Sequence, residues 1–104
     1  MTYVFDIDGT ICHKKSNQSY ADSIPYMGRI EVINSLFDEG HTITFNTARG
    51  MGSSNNTDPN KWHSLTLQQL DEWGVKYHNL FMGKPSGDLY IDDKGIKDEE
   101  FFRD

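Results

Sequence analysis

Apolar and polar positions along the chain divide it into alternating short strands and helices. TYVFDI (Thr2 to Ile7) concentrates aromatic and β-branched residues and predicts a buried strand. The polar, turn-rich stretch from Cys12 to Gly28 predicts a loop or a small hairpin excursion. RIEVINSLFDEG then sets Ile30, Ile33, Leu36 and Phe37 at helical spacing, with Gly40 placed to end the helix. HTITF (His41 to Phe45) predicts a second strand. After a Gly-, Ser- and Asn-rich stretch, Asp58-Pro59 reads as an N-cap and first-turn proline. The helix expected there carries Trp62, Leu67, Leu70 and Trp73 as core contacts and stops at Gly74. NLFMG (Asn79 to Gly83) and DLYID (Asp88 to Asp92) predict a third and a fourth strand, and DEEFF a short terminal helix. This order predicts one α/β domain over residues 1–104, a three-layer Rossmann-like parallel sheet sandwiched by helices. In such sheets the ligand lies at the carboxyl ends of the strands.

Each predicted strand ends in chemically capable residues. Asp6, Asp8, Gly9 and Thr10 follow the first, Asn46, Thr47 and Arg49 the second, Lys84 the third, and Asp92-Asp93 the fourth. A parallel sheet would gather them in one crevice. Three or four carboxylates there need a compensating cation, and oxygen-only ligands select a hard ion such as Mg²⁺. A lysine and a hydroxyl beside that ion suit phosphate oxygens, and phosphoryl transfer is the chemistry that fits. Of two neighbouring carboxylates, one can attack phosphorus while the other handles the proton. Gly9 permits a sharp bend between strand and site.

The chain has 104 residues and a net charge of -6, which repels nucleic acid and anionic membranes. No apolar run approaches the roughly 18 residues of a membrane span, and MTYVFDIDGT lacks the order of a secretory signal. A single cysteine, Cys12, fits a reducing compartment, so the cytoplasm is the expected location. The four histidines are scattered and show no zinc-ligand spacing. An EF-hand reading of D-x-D fails because Ile11 and Asn17 stand where that loop needs Gly and Glu.

DIDGT at Asp6–Thr10, NTARG at Asn46–Gly50, GKP at Gly83–Pro85 and YIDDK at Tyr90–Lys94 together resemble, in order, the four motifs of the haloacid dehalogenase (HAD) superfamily of phosphatases. The resemblance implies Asp6 as nucleophile and Asp8 as general acid/base, Asp8 also offering its carbonyl to the metal. It implies Thr47 as a phosphoryl contact and Lys84 as the group that neutralises phosphate and steadies Asp6. Asp6, Asp8, Asp92 and Asp93 would hold Mg²⁺, with Asp93 the favoured direct ligand and Asp92 in support. No insertion is long enough for a cap domain, so the resemblance is to a small capless member. Gly9, Thr10, Asn46, Arg49 and His63 are candidate substrate contacts, Arg49 being equally readable as a surface salt bridge. Specificity is expected in the segment 50–60 and in His13, Lys14 and Lys15.

The expected reaction is Mg²⁺-dependent hydrolysis of a small-molecule phosphate monoester, with a sugar phosphate of surface-polysaccharide metabolism the favoured substrate. A nucleotide or polynucleotide phosphatase, a phosphotransferase and a catalytically silent binding protein are the alternatives. A homo-oligomer is left open.

Overall fold

In a computed structural model, which describes residues 1–52 and 58–104, the first strand forms over Thr2–Phe5 (β1). The polar excursion after it is a small antiparallel hairpin of Cys12–His13 (β2) and Ile24–Pro25 (β3), with a 3₁₀ turn at Tyr20–Asp22 between them. Ser19 and Asp22 close that turn with a reciprocal capping box. Met27–Asp38 (α1) leads to Thr42–Thr47 (β4), and His63–Glu72 (α2) leads to Asn79–Met82 (β5). Asp98–Phe102 (α3) is the terminal helix.

β1, β4 and β5 form one parallel sheet in the order β1-β4-β5, Tyr3 opposite Ile43, Phe5 opposite Phe45, and Phe45 opposite Leu80. Those levels share one face, and that face is the core. Phe5, Ile43 and Phe45 cluster there with Ile7 and Ile11, with Ile30 and Ile33 of α1, and with Leu70 of α2. Phe101 and Phe102 of α3 add ring contacts at 5.5 and 5.9 Å to Phe5. Arg29 ties α3 down: it donates to Asp98, to both Asp104 carboxylate oxygens, and to the carbonyl of Thr10.

Three sequence expectations change. The sheet is not sandwiched: the levels of Val4 and of Asn46–Phe81 point away from the core, leaving Val4 63% and Phe81 58% exposed. The fourth strand is absent among the described residues. Asp88–Asp92 is an exposed irregular segment, with Leu89 81% and Ile91 92% exposed. The reason is connection length. Only Gly83–Gly87 separates Asp88 from β5, whereas a crossover to another parallel strand needs about a dozen residues or more. Finally, α2 begins at His63 rather than at Pro59. Asp58 caps a preceding turn instead, its carboxylate accepting from the Asn60 N–H at 3.0 Å. Part of the expected specificity segment, 53–57, lies outside the described residues. Among the described residues no helix is long and apolar enough to cross a membrane.

One glycine after β4 is required by geometry. Gly50 has φ +84°, and a Cβ there would collide with the Asp58 carbonyl oxygen. Gly50→Ala is expected to lower unfolding free energy by about 1–3 kcal/mol, read by urea denaturation, because it combines left-handed strain with a backbone clash.

Candidate active site at the carboxyl ends of the strands

The chain leaves β1 at Asp6 and turns sharply. Gly9, at φ +81°, donates its N–H to the Cys12 carbonyl, while Thr10 and Ile11 donate back to the Ile7 carbonyl. The alternation of the strand continues through this turn: Ile7 is buried and Asp6 and Asp8 remain half-buried beside the cleft. A cleft of about 360 Å³ opens there, with Asp6, Asp8 and Gly9 at its floor, Arg49 and Ala48 from the β4 end, and Lys14 and Tyr20 from the hairpin.

The two acids have different partners. Asp6 accepts from the Ile7 N–H at 2.8 Å and faces the Lys84 ammonium at 3.5 Å. Burial pushes the Asp6 carboxyl above its ordinary value of 3.8, aided by the charge of Asp8 and partly offset by the Ile7 N–H and by Lys84. Asp8 instead takes a bidentate pair from Arg49, Nε to one oxygen and Nη2 to the other, both at 2.9 Å. Arg49 is fully buried. Its Nη1 donates to Thr66 Oγ1 at 3.1 Å and Gln69 Oε1 at 2.6 Å, and its guanidinium lies 4.9 Å from the Tyr20 ring centre. Gln69 donates in turn to the Tyr20 carbonyl at 2.7 Å, so one arginine joins strand end, helix α2 and hairpin.

Of the two readings the sequence left open, the surface salt bridge is replaced by a buried one: Arg49 reaches the cleft, but its donor nitrogens are engaged by Asp8, Thr66 and Gln69. Its guanidinium is spent on Asp8 and α2. Thr47 is also fully buried, and its Oγ1 accepts from the Arg49 N–H at 3.2 Å, beneath the cleft rather than lining it. Lys84 reaches Asp6 as expected, its N–H donating to the Thr47 carbonyl at 3.0 Å. Thr10 is engaged through its carbonyl by Arg29. Asn46 lies on the outward face of β4, and His63 opens α2; neither lines the cleft.

Asp92 and Asp93 do not line the cleft either. Asp92 Oδ1 accepts from the N–H groups of Lys94 and Gly95, which hold its carboxyl below the usual range. Tyr90 folds over Lys84, with the ammonium 4.1 Å from its ring centre, and its hydroxyl donates to the Pro85 carbonyl at 2.7 Å. With Asp6 facing Lys84 and both Asp8 oxygens facing Arg49, no three His, Cys, Asp or Glu side chains among the described residues come together as a metal-ligand set.

Sequence inspection did not single out Tyr20, Thr66 or Gln69 as partners of this site. The signal for the last two was present: polar residues at i and i+3 beside Leu70, on the buried stripe of an amphipathic helix, need a polar partner inside. Cys12, beneath Asp8, is buried and its thiol is pushed up to about 12, first by burial and then by the Asp8 charge, which keeps it protonated and inert.

The Asp6 shift carries a stability consequence. A carboxyl whose folded-state pKa lies above its unfolded value favours folding below about 3.8, and that contribution is lost as pH rises through the folded value. Asp6→Asn is expected to resist urea better than the parent at pH 7, with the difference closing as the pH falls toward 4.

Fold and site together define an open α/β protein with a two-carboxylate cleft at the ends of its parallel strands. No protein-family model matches the chain, and no curated protein does. A crystal structure of an MCSG target from Vibrio cholerae is similar to it, with a TM-score of 0.75 and 29% sequence identity over 97% of this chain and 86% of that one.

Proposed function

We propose that the chain is a phosphatase of the HAD type that hydrolyses a small phosphate monoester through an aspartyl-phosphate on Asp6. The observation that carries this reading is the unequal partnering of two carboxylates at one strand end: Asp6 faces the ammonium of Lys84 at 3.5 Å, while Asp8 is clamped by a buried arginine. An Asp6 carboxylate oxygen attacks phosphorus, and the bond from phosphorus to the ester oxygen breaks. Lys84 balances the charge on the phosphoryl oxygens and orients Asp6. Asp8 enters the cycle in its protonated form: it passes that proton to the departing alkoxide, and the carboxylate left behind then takes a proton from the water that hydrolyses the aspartyl-phosphate, which restores the starting state.

The net charge of -6 disfavours a polynucleotide substrate and leaves sugar phosphates and other small esters as the preferred class. The test is release of phosphate from an aryl phosphate by the purified chain, with added Mg²⁺ and with EDTA. Mg²⁺-dependent turnover is expected from the DIDGT and YIDDK motifs; no turnover by folded protein in either condition overturns the phosphatase reading in favour of a binding protein.

A further inference from the structure

The cations around the cleft sort by partner. Lys84 faces Asp6, and every donor nitrogen of Arg49 is taken by Asp8, Thr66 or Gln69. Lys14 is different. It lines the cleft half-buried, with its ammonium 5.2 Å from the Tyr20 ring centre and 3.5 Å from the Lys15 carbonyl oxygen. Among the described residues it makes no ion pair, in a chain with 16 acidic and 10 basic residues. His13 stands beside it, its ring stacked on Tyr26 at 5.1 Å, so the hairpin presents both side chains from a fixed wall. The paired groups cancel each other's charge, and Lys14 leaves the cleft wall with one positive charge over.

We infer that Lys14, with His13 beside it, forms a second anion subsite, so that the preferred substrate is a phosphate monoester whose alcohol part carries a further carboxylate or phosphate. This deepens the phosphatase reading and rests on it. Lys84, beside the Asp6 nucleophile, is placed for the transferring phosphoryl group, whereas Lys14 belongs to the hairpin wall. The cleft, at about 360 Å³, lies in the range of roughly 300–1,000 Å³ typical of small-molecule sites, which leaves room for an alcohol part beside the phosphate. Tyr20 shields one side of the ammonium from water, which strengthens its attraction for an anion relative to a fully solvated lysine. The overall charge of -6 acts at long range against polyanions, while a small dianion is drawn by the local field once within a Debye length of about 8 Å.

The experiment compares kcat/KM for glucose 6-phosphate, 3-phosphoglycerate and fructose 1,6-bisphosphate in the parent, Lys14→Ala and Lys14→Arg. The parent is expected to prefer at least one of the two substrates with an additional anion. That preference, expressed as a ratio to glucose 6-phosphate, is expected to fall about tenfold in Lys14→Ala, through KM, and to survive in Lys14→Arg. The substrate whose ratio falls identifies carboxylate or phosphate as the anion. No preference in the parent, or an equal loss on all three substrates in Lys14→Ala, overturns the subsite; the equal loss assigns Lys14 to the transferring phosphate instead. Calorimetric binding of 3-phosphoglycerate and fructose 1,6-bisphosphate separates this inference from the reading beneath it. If nothing is hydrolysed, the phosphatase reading fails, and a Kd unchanged by Lys14→Ala for both ligands then removes the subsite as well; a Kd weakened for either keeps it.

Discussion

Asp6→Asn is expected to lower kcat for aryl phosphate hydrolysis by about 10³-fold or more, with the protein still folded. Asparagine keeps the shape and can still accept from the Ile7 N–H, which Asp6 does at 2.8 Å, so the local turn survives. What disappears is the carboxylate oxygen that forms the bond to phosphorus. Lys84 would then face a neutral amide and hold phosphate with no nucleophile beside it. The same variant is the one expected to gain stability at neutral pH, because burial makes the Asp6 charge unfavourable. Loss of activity with gain of stability is the mark of a charge kept for chemistry. Substantial turnover in Asp6→Asn, above about a tenth of the parent, would remove the aspartyl-phosphate mechanism. Steady-state assays beside urea denaturation at pH 7 read both halves.

Arg49→Ala carries the largest expected cost to the fold, about 3–5 kcal/mol of unfolding free energy. The substitution removes both guanidinium donors to the Asp8 carboxylate and leaves Thr66 and Gln69 with polar atoms inside α2 and no guanidinium to meet them. Asp8 retains 31% side-chain exposure, so water can compensate one end and the lower part of that range applies. Arg49→Lys is expected to restore little, because an ammonium cannot reproduce a planar fork that binds two oxygens of Asp8 while also reaching α2. For a domain of this size, a loss of this order is a large fraction of total stability. The urea midpoint of Arg49→Ala against the parent reads the effect. A loss below about 1 kcal/mol would mean that the buried network contributes little beyond its packing.

The outward levels of the sheet bear on both variants. Val4 and Phe81 lie on a face that other parallel sheets cover with helices, and Leu89 and Ile91 stand in water nearby in sequence to Lys84. The core is thus one-sided, built where α1, α2 and α3 meet Phe5, Ile43 and Phe45. Stability rests on that single layer and on the polar ties of Arg29 and Arg49, so losing either arginine is felt through the whole domain.

Much of this was legible in the order of residues. Strand-forming runs at Thr2–Phe5, Thr42–Thr47 and Asn79–Met82 are short, β-branched or aromatic, and bounded by turn residues. The helical spacing of Ile30, Ile33 and Leu36 produced α1, with the chain turning at Gly40. Local sterics and local periodicity act within a few residues, and these features depend on nothing more distant. Parallel pairing of β1 with β4 then brought Asp6, Asp8 and the residues after Thr47 to one end, as chain direction alone requires.

Tertiary structure decided the rest. DLYID has the composition of a strand, yet Gly83–Gly87 is too short a link to return it to the start of a parallel sheet, and strand propensity cannot overcome missing chain length. Arg49 was equally readable as a substrate contact or a surface salt bridge; only folding shows that Asp8, Thr66 and Gln69, at sequence separations of 41, 17 and 20, converge on it. Sequence by itself determined the three strands that pair, helix α1, and the place of Asp6 and Asp8 just beyond the first strand, because these follow from neighbours along the chain. The partner of each charge, Lys84 for Asp6 and Arg49 for Asp8, was decided only when distant segments packed and water was excluded between them.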